Sequence, residues 1–257
     1  MEFAGGRILA ESAEGIGLLT FNQPEKHNAM SIAMWTGLGE ALDWFAADSA
    51  LRVLVVTGAG ERAFVSGADI GEFDANRADA AAQAEYERRT AAGRMRLAAF
   101  PRPVIARIRG YCLGGGVAVA LAADLRIAGE GAVFGIPAAR LGVAYGADLV
   151  RALVDVVGPA QAKFLLYSGQ RIDAAEAARI GLVNRVVADA ALAETVESLA
   201  RAIAANAPLS IRAAKLAIAA EDPDAIAAAI AACFDSADYR EGRAAFAAKR
   251  PPRFQGR

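Results

Sequence analysis

Histidine is nearly absent from this chain: there is one, His27, in 257 residues. That excludes a His-rich metal site, and a Ser-His-Asp hydrolase would have only His27 to use. His27 sits in the polar stretch Pro24-Glu25-Lys26-His27-Asn28, where a loop or ligand-rim position is expected. Cysteine is scarce too. Cys112 and Cys233 lie far apart and form no CxxC pair, which fits a reduced, cytoplasmic setting. Neither sign of charge dominates. The 28 Lys and Arg against 29 Asp and Glu leave a net charge of −1, which argues against nucleic acid or an anionic membrane as partner. No apolar stretch reaches the ~18 residues of a membrane span. The run Val117–Ala123 is too short and ends at Asp124. The start, Met1-Glu2-Phe3-Ala4-Gly5-Gly6-Arg7, lacks the long apolar run of a signal peptide. Also missing are the G-x-x-x-x-G-K-[ST] phosphate loop and the G-x-S-x-G elbow. There is no repeat of 20–50 residues and no disordered linker.

What is present is apolar substance. At 55% hydrophobic the chain can bury a sizeable core, as one large domain or a domain with an appendage. Ile16–Phe21 reads as a strand ending at the turn-forming Asn22-Gln23-Pro24. Ser31 can cap a helix whose apolar face includes Met34, Leu38, Leu42 and Phe45. Leu51–Thr57 is a nearly continuous β-branched run, as in a buried parallel strand; Val104–Ile108 and Leu125–Ala128 look like two more. Strands alternating with helices predict an α/β domain. The charged, Ala-rich stretch from Glu72 to Phe100 is expected to be helical. After about Pro208 the chain turns strongly helical, over Ser210–Ala220 and Pro223–Tyr239. Apolar Ile226, Ile230 and Phe234 stand there at helical intervals, as in a helical cap on the core or a subunit interface.

The chemistry concentrates in a few segments. Gly114-Gly115-Gly116 opens the apolar run Val117–Ala123. Glycine is unfavourable inside a helix by about 1 kcal/mol against alanine, so three at a helix start predict a close approach of backbone to something. The first N–H groups of a helix lack internal partners and sit at its positive end, where they can hold an anion or an oxygen that becomes anionic during a reaction. Tight packing of helix on strand is the plainer reason for the same glycines. The segment Ala63-Phe64-Val65-Ser66-Gly67-Ala68-Asp69-Ile70 comes after the Leu51–Thr57 strand. Phe134–Gly146 and the basic tail Glu241–Phe254 complete the set. Thr57–Ala63 spells G-x-G-x-x-A after a strand, the shape of a dinucleotide fingerprint. The next residues, Phe64-Val65-Ser66-Gly67, favour extended chain and a turn rather than a helix, which argues against a nicotinamide cofactor.

Together these segments resemble the enoyl-CoA hydratase/isomerase family, the crotonases. The match runs from about Ile16 to Phe254. It includes Asn28-Ala29-Met30, Ser66–Ile70, Gly110–Gly116, Phe134-Gly135-x-Pro137, Leu141-Gly142 and the Ala177–Val187 segment. The resemblance implies an α/β spiral of ββα units with a helical C-terminal region. It implies a core over 1–200 carrying the acyl-CoA site, and a region over 201–257 for oligomerisation and the CoA rim. It further implies a homotrimer or homohexamer acting on an acyl-coenzyme A substrate. No separate cofactor is expected, since coenzyme A is part of the substrate. Two main-chain N–H groups, matched here to Ala68 and Gly115, would hold the thioester oxygen and stabilise an enolate. Substrate would lie against Ala29, Ala68, Asp69, Ile70, Gly114, Ala118 and Ala138. Lys26, Lys249 and Arg250 are candidates for the CoA phosphates.

The chain departs from the family at the acid–base positions. Hydratases of this family place one glutamate two residues after the glycine triplet and another directly after F-G-x-P. Here those positions hold Ala118 and Ala138, which cannot transfer a proton, so conventional hydration should be nearly abolished. Isomerisation and decarboxylation stay open. Tyr145 resembles the tyrosine after L-G-V-P of the methylmalonyl-CoA decarboxylase branch, although that branch has histidine where this chain has Ala68. Asp148 stands near the aspartate of the family's isomerases and dehalogenases. Tyr145 could equally be an aromatic wall and Asp148 a helix cap; Glu130 and Glu72 are remoter candidates. The alternative to an enzyme is a non-catalytic acyl-CoA-binding homologue.

Overall fold

The computed structural model describes residues 1–72, 80–219 and 222–257. Its frame is two sheets fed alternately by the chain. The larger holds β1 (Glu2–Phe3), β2 (Ile8–Ala13), β3 (Ile16–Phe21), β4 (Val53–Gly58), β6 (Val104–Ile108), β8 (Leu125–Gly129) and β11 (Arg185–Val187), in that spatial order. The smaller runs β10 (Arg171–Asp173), β9 (Val133–Gly135), β7 (Tyr111–Leu113), β5 (Ala63–Val65). From β3 to β11 every pairing in the large sheet is parallel, and β5, β7 and β9 are parallel in the small one. Three times the chain lays a strand in the large sheet, turns into the small sheet, and leaves in a helix. The exits are α2 (Ala80–Ala98), α3 (Gly115–Ala122) and α4 (Ala147–Ser168), and the short α5 (Ala174–Arg179) follows β10. This is the expected spiral of ββα units.

The residues explain the pattern. Val53 to Val56 on β4 are buried on both faces, as a parallel strand covered on two sides requires. Ser31 Oγ accepts from Met34 N at 3.2 Å and starts α1 (Ile32–Ala47). The four apolar residues expected on its inner face are all buried. On the opposite side of the large sheet, α6 (Leu192–Ala204) sets Leu192, Val196 and Ala200 against Val53, Val55, Ile105 and Ile127. Arg126, 7% exposed on β8, donates to the carbonyls of Ala123 and Leu182, each at 2.8 Å. It thereby closes the C-terminal end of α3.

Several expectations shift in detail. The helix anticipated over Glu72–Phe100 is seen as α2, preceded by a short turn at Ile70–Glu72; 73–79 lie outside the described residues. The helix anticipated to Ala220 is α7 (Pro208–Ile218), and Ala220 is likewise outside. The single helix expected over Pro223–Tyr239 divides at Ser236. Its hydroxyl accepts from Tyr239 N, so α8 (Pro223–Asp235) ends and α9 (Ala237–Ala247) begins. None of the α8 side chains is buried, and Ile230, Phe234 and Phe246 are exposed. Among the described residues no helix is long and apolar enough to cross a membrane.

Candidate functional site

The glycine triplet does three different jobs. Gly114 has φ 50° and ψ −111°, a backbone setting closed to side chains, and is the N-cap of α3. Its N–H donates to Gly135 O at 2.8 Å. Gly116 is glycine for packing, because a Cβ there would sit 2.0 Å from Val65 O. Gly115, the first helical residue, is different. A Cβ there would meet only ordinary contacts, 3.5 Å to Gly67 C and 3.6 Å to Ala68 N. Packing therefore does not explain Gly115, beside which the backbone amide of Ala68 lies close.

Ala68 comes to that place through an isolated parallel bridge with Met30. Met30 N donates to Gly67 O at 2.8 Å and Asp69 N donates to Met30 O at 3.0 Å. Such a bridge uses the groups flanking Ala68, so its own N–H faces the other way. Among the described residues no acceptor takes the N–H of Ala68 or of Gly115. Both residues line one cleft with Met30, Ile70, Gly114, Ala118, Pro137, Ala138 and Tyr145, closed on one side by Glu87, Thr90 and Arg94 of α2. Its wall is mostly apolar. Ala118 is buried and Ala138 half-buried, so neither usual glutamate position presents an ionisable group.

Tyr145 lines the cleft, and its hydroxyl donates to Gly114 O at 2.9 Å. Burial pushes the phenol well above its ordinary value, so it stays neutral and keeps donating. Asp148 is in the first turn of α4 and pairs with Arg94. Burial favours the protonated acid, but the Arg94 hydrogen bond and charge outweigh it and hold the carboxyl below the usual range. Its side chain is 54% exposed, against 8% for Arg94, and it is absent from the cleft lining. Lys26 Nζ donates to Asp69 at 2.7 Å, which keeps that carboxyl below its ordinary range. Ala29 is buried and outside the cleft lining, whereas Ile70 lines the cleft and is exposed. Arg250 makes a two-pronged pair with Glu241, at 2.6 and 2.9 Å, and holds that carboxyl down to about 2. Lys249 and Arg250 are not among the residues that line the cleft. Asn28 clamps the Ala59–Ala63 turn through Nδ2, at 2.9 Å to Ala59 O and 2.8 Å to Ala63 O. A Cβ on Gly58 would lie 2.2 Å from Phe64 O. The dinucleotide-like glycine pattern is thus a tight strand-to-strand turn, with β5 rather than a helix after it.

Sequence reasoning did not single out Glu87 or Arg94, which lie in the charged, Ala-rich stretch expected to be helical. Tyr86, Thr90 and Arg94 recur every four residues and are all buried, so this polar stripe at helical spacing was the available signal. Among the described residues no group of three or more His, Cys, Asp or Glu could hold a metal ion.

The family model for enoyl-CoA hydratase/isomerase matches residues 11–257. A short-chain-enoyl-CoA hydratase of Clostridium acetobutylicum is 34% identical over 260 residues, covering 95% of each chain. A 2,3-dehydroadipyl-CoA hydratase of Escherichia coli is 35% identical over 257 residues, covering 97% of this chain and 99% of that one. The crystal structure of an enoyl-CoA hydratase/carnithine racemase from Magnetospirillum magneticum superposes with a TM-score of 0.94 at 39% identity. It covers 98% of this chain and 96% of that one.

Proposed function

The chain belongs to the enoyl-CoA hydratase/isomerase family, and on that footing we propose that it is an enzyme that binds an acyl-coenzyme A thioester in the cleft and stabilises its enolate through the N–H groups of Ala68 and Gly115. The carrying observation is that these two amides, one after β5 and one at the first residue of α3, lie close together with no acceptor among the described residues. Two donors aimed at one thioester oxygen favour the form in which that oxygen carries negative charge, and in a largely apolar cleft they act with little competition from water. Removing one such donor typically lowers the rate by roughly 10²–10³. Tyr145 acts in this reading as a positioning residue, fixing the carbonyl of Gly114 and with it the next amide along the chain.

The reaction is an isomerisation or a decarboxylation rather than conventional hydration. Hydration requires a group to activate water, and Ala118 and Ala138 supply none. Departure of carbon dioxide generates the enolate without a base, and allylic isomerisation needs only a proton shuttle. Coenzyme A enters as part of the substrate, and no separate cofactor is invoked. Lys26, with two donors beyond the one given to Asp69, is a candidate for the CoA phosphates, as are Lys249 and Arg250. The core over 1–200 carries the site, and the helices over 201–257 mediate assembly into a homotrimer or homohexamer in the cytoplasm. The exposed Ile230, Phe234 and Phe246 support that assembly, since aromatic and aliphatic side chains gathered on one surface mark association sites. The test is turnover of a panel of enoyl-, dienoyl- and malonyl-type CoA thioesters. A second reading, an acyl-CoA-binding protein without turnover, draws on the same two alanines; it predicts binding of the whole panel and conversion of none.

A further inference from the structure

With alanine at both usual acid–base positions, the cleft needs another group to move a proton. Its ionisable lining side chains among the described residues are Tyr86, Glu87, Arg94 and Tyr145. Arginine does not give up its proton in proteins, and Tyr145 donates to Gly114 O. Glu87 is the one carboxylate among these lining side chains. It is half-buried on α2, where Oε1 accepts from Gln83 Nε2 at 3.0 Å. The other oxygen faces the entry to α4: an atom at a Cβ position on Gly146 would lie 3.4 Å from Glu87 Oε2 and 2.8 Å from Asp148 Oδ1. Two carboxylates thus converge beside one guanidinium, and Arg94 is paired with Asp148. Among the described residues no Lys or Arg forms an ion pair with Glu87. Arg94 removes Asp148 from the proton chemistry and leaves Glu87, which lines the same cleft as both backbone donors, with an oxygen to spare.

We infer that Glu87 is the catalytic acid–base residue of this cleft. This rests on the acyl-CoA reading above. Glu87 takes a proton from the α-carbon of the bound thioester. The C–H electron pair becomes the Cα=C bond of the enolate, and the carbonyl π pair moves onto the oxygen held by Ala68 and Gly115. The neutral Glu87 then returns the proton to the same carbon. In an acyl group with a β,γ double bond it delivers it instead to the γ-carbon, and the double bond moves into conjugation with the carbonyl. Nothing is oxidised or reduced and no water is consumed.

The experiment measures deuterium incorporation into butyryl-CoA in D₂O by mass spectrometry, using the full chain, with binding of the same thioester read separately by thermal shift. The wild-type protein is expected to exchange its α-hydrogens. Glu87→Gln should bind with unchanged affinity and exchange at least about 10²-fold more slowly, the low end of what a positioned base contributes. Glu87→Asp, a carboxylate on a shorter stem, should recover part of the rate. Exchange by Glu87→Gln at the wild-type rate overturns the assignment and leaves the acyl-CoA site standing. So does a wild-type protein that binds without exchanging. A wild-type protein that neither binds nor exchanges removes the acyl-CoA reading as well.

Discussion

Two adjacent glycines should respond in opposite ways to substitution. Gly115 is the first residue of α3, a position where proline's missing N–H deletes no helix hydrogen bond and its fixed φ suits the helix. Gly115→Pro should therefore fold, with a melting temperature within a few degrees of the wild type, while losing one of the two donors. The expected rate loss is roughly 10²–10³, or about 2.7–4 kcal/mol of transition-state stabilisation. Gly115→Ala keeps the donor and gains about 1 kcal/mol of helix propensity, but sets a methyl 3.6 Å from Ala68 N, so it should raise stability and crowd the oxygen. Gly116→Ala drives a methyl to 2.0 Å from Val65 O. Backbone there must shift, and overpacking of this kind destabilises by about 1–3 kcal/mol, seen as a drop of several degrees in melting temperature. The assay is α-hydrogen exchange on butyryl-CoA alongside thermal unfolding of each variant. Undiminished exchange by a folded Gly115→Pro protein would refute the donor argument. Equal loss of stability at both positions would show that Gly115, too, is there for packing.

The tyrosine hydroxyl, the ion pairs and the apolar surface give further tests. Tyr145→Phe removes one hydrogen bond, about 1 kcal/mol of stability, and should lower kcat more than it changes KM. An unchanged kcat would relegate the ring to a wall. Asp148→Asn leaves the buried Arg94 without its counter-charge. Half-exposure of Asp148 tempers the loss to about 1–2 kcal/mol, measured by urea unfolding; no loss would mean the pair is incidental. Asp69 is held below its ordinary value by Lys26, so the pair stabilises above about pH 4 and its contribution fades as pH falls through the lowered folded value. With Lys26 half exposed the contribution is roughly 1 kcal/mol. The gap between wild type and Asp69→Asn should therefore narrow from pH 5 to pH 3, and a constant gap would contradict the coupling. Light scattering should give the mass of a trimer or hexamer, reduced by Phe234→Asp; a monomeric wild type would sink that assembly.

The parallel core was legible because its signal is dense. Val53–Val56 and Val104–Ala106 have little choice but to be buried on both faces, and they are. The three-residue strands β5, β7 and β9 are too short for periodicity to register, and the first hairpin, β1 with β2, carries mixed polar residues. Within the site, the glycines announced themselves because no ordinary helix tolerates three. Glu87 did not, because its role depends on which way α2 faces, and that is set by packing of Tyr86, Thr90 and Arg94 rather than by any local pattern. The clamp by Asn28 was equally invisible, since its partners Ala59 and Ala63 offer only main-chain carbonyls.

Arg126 carries a consequence at a distance. Its guanidinium grips the trailing end of an eight-residue helix, about 12 Å behind the leading amide. Any slip of that short cylinder along its own axis would break the hold on Ala123 or on Leu182. The aim of the amide at the front is thus set partly from the rear, and an alteration at Arg126 should spoil the alignment of a centre it never touches.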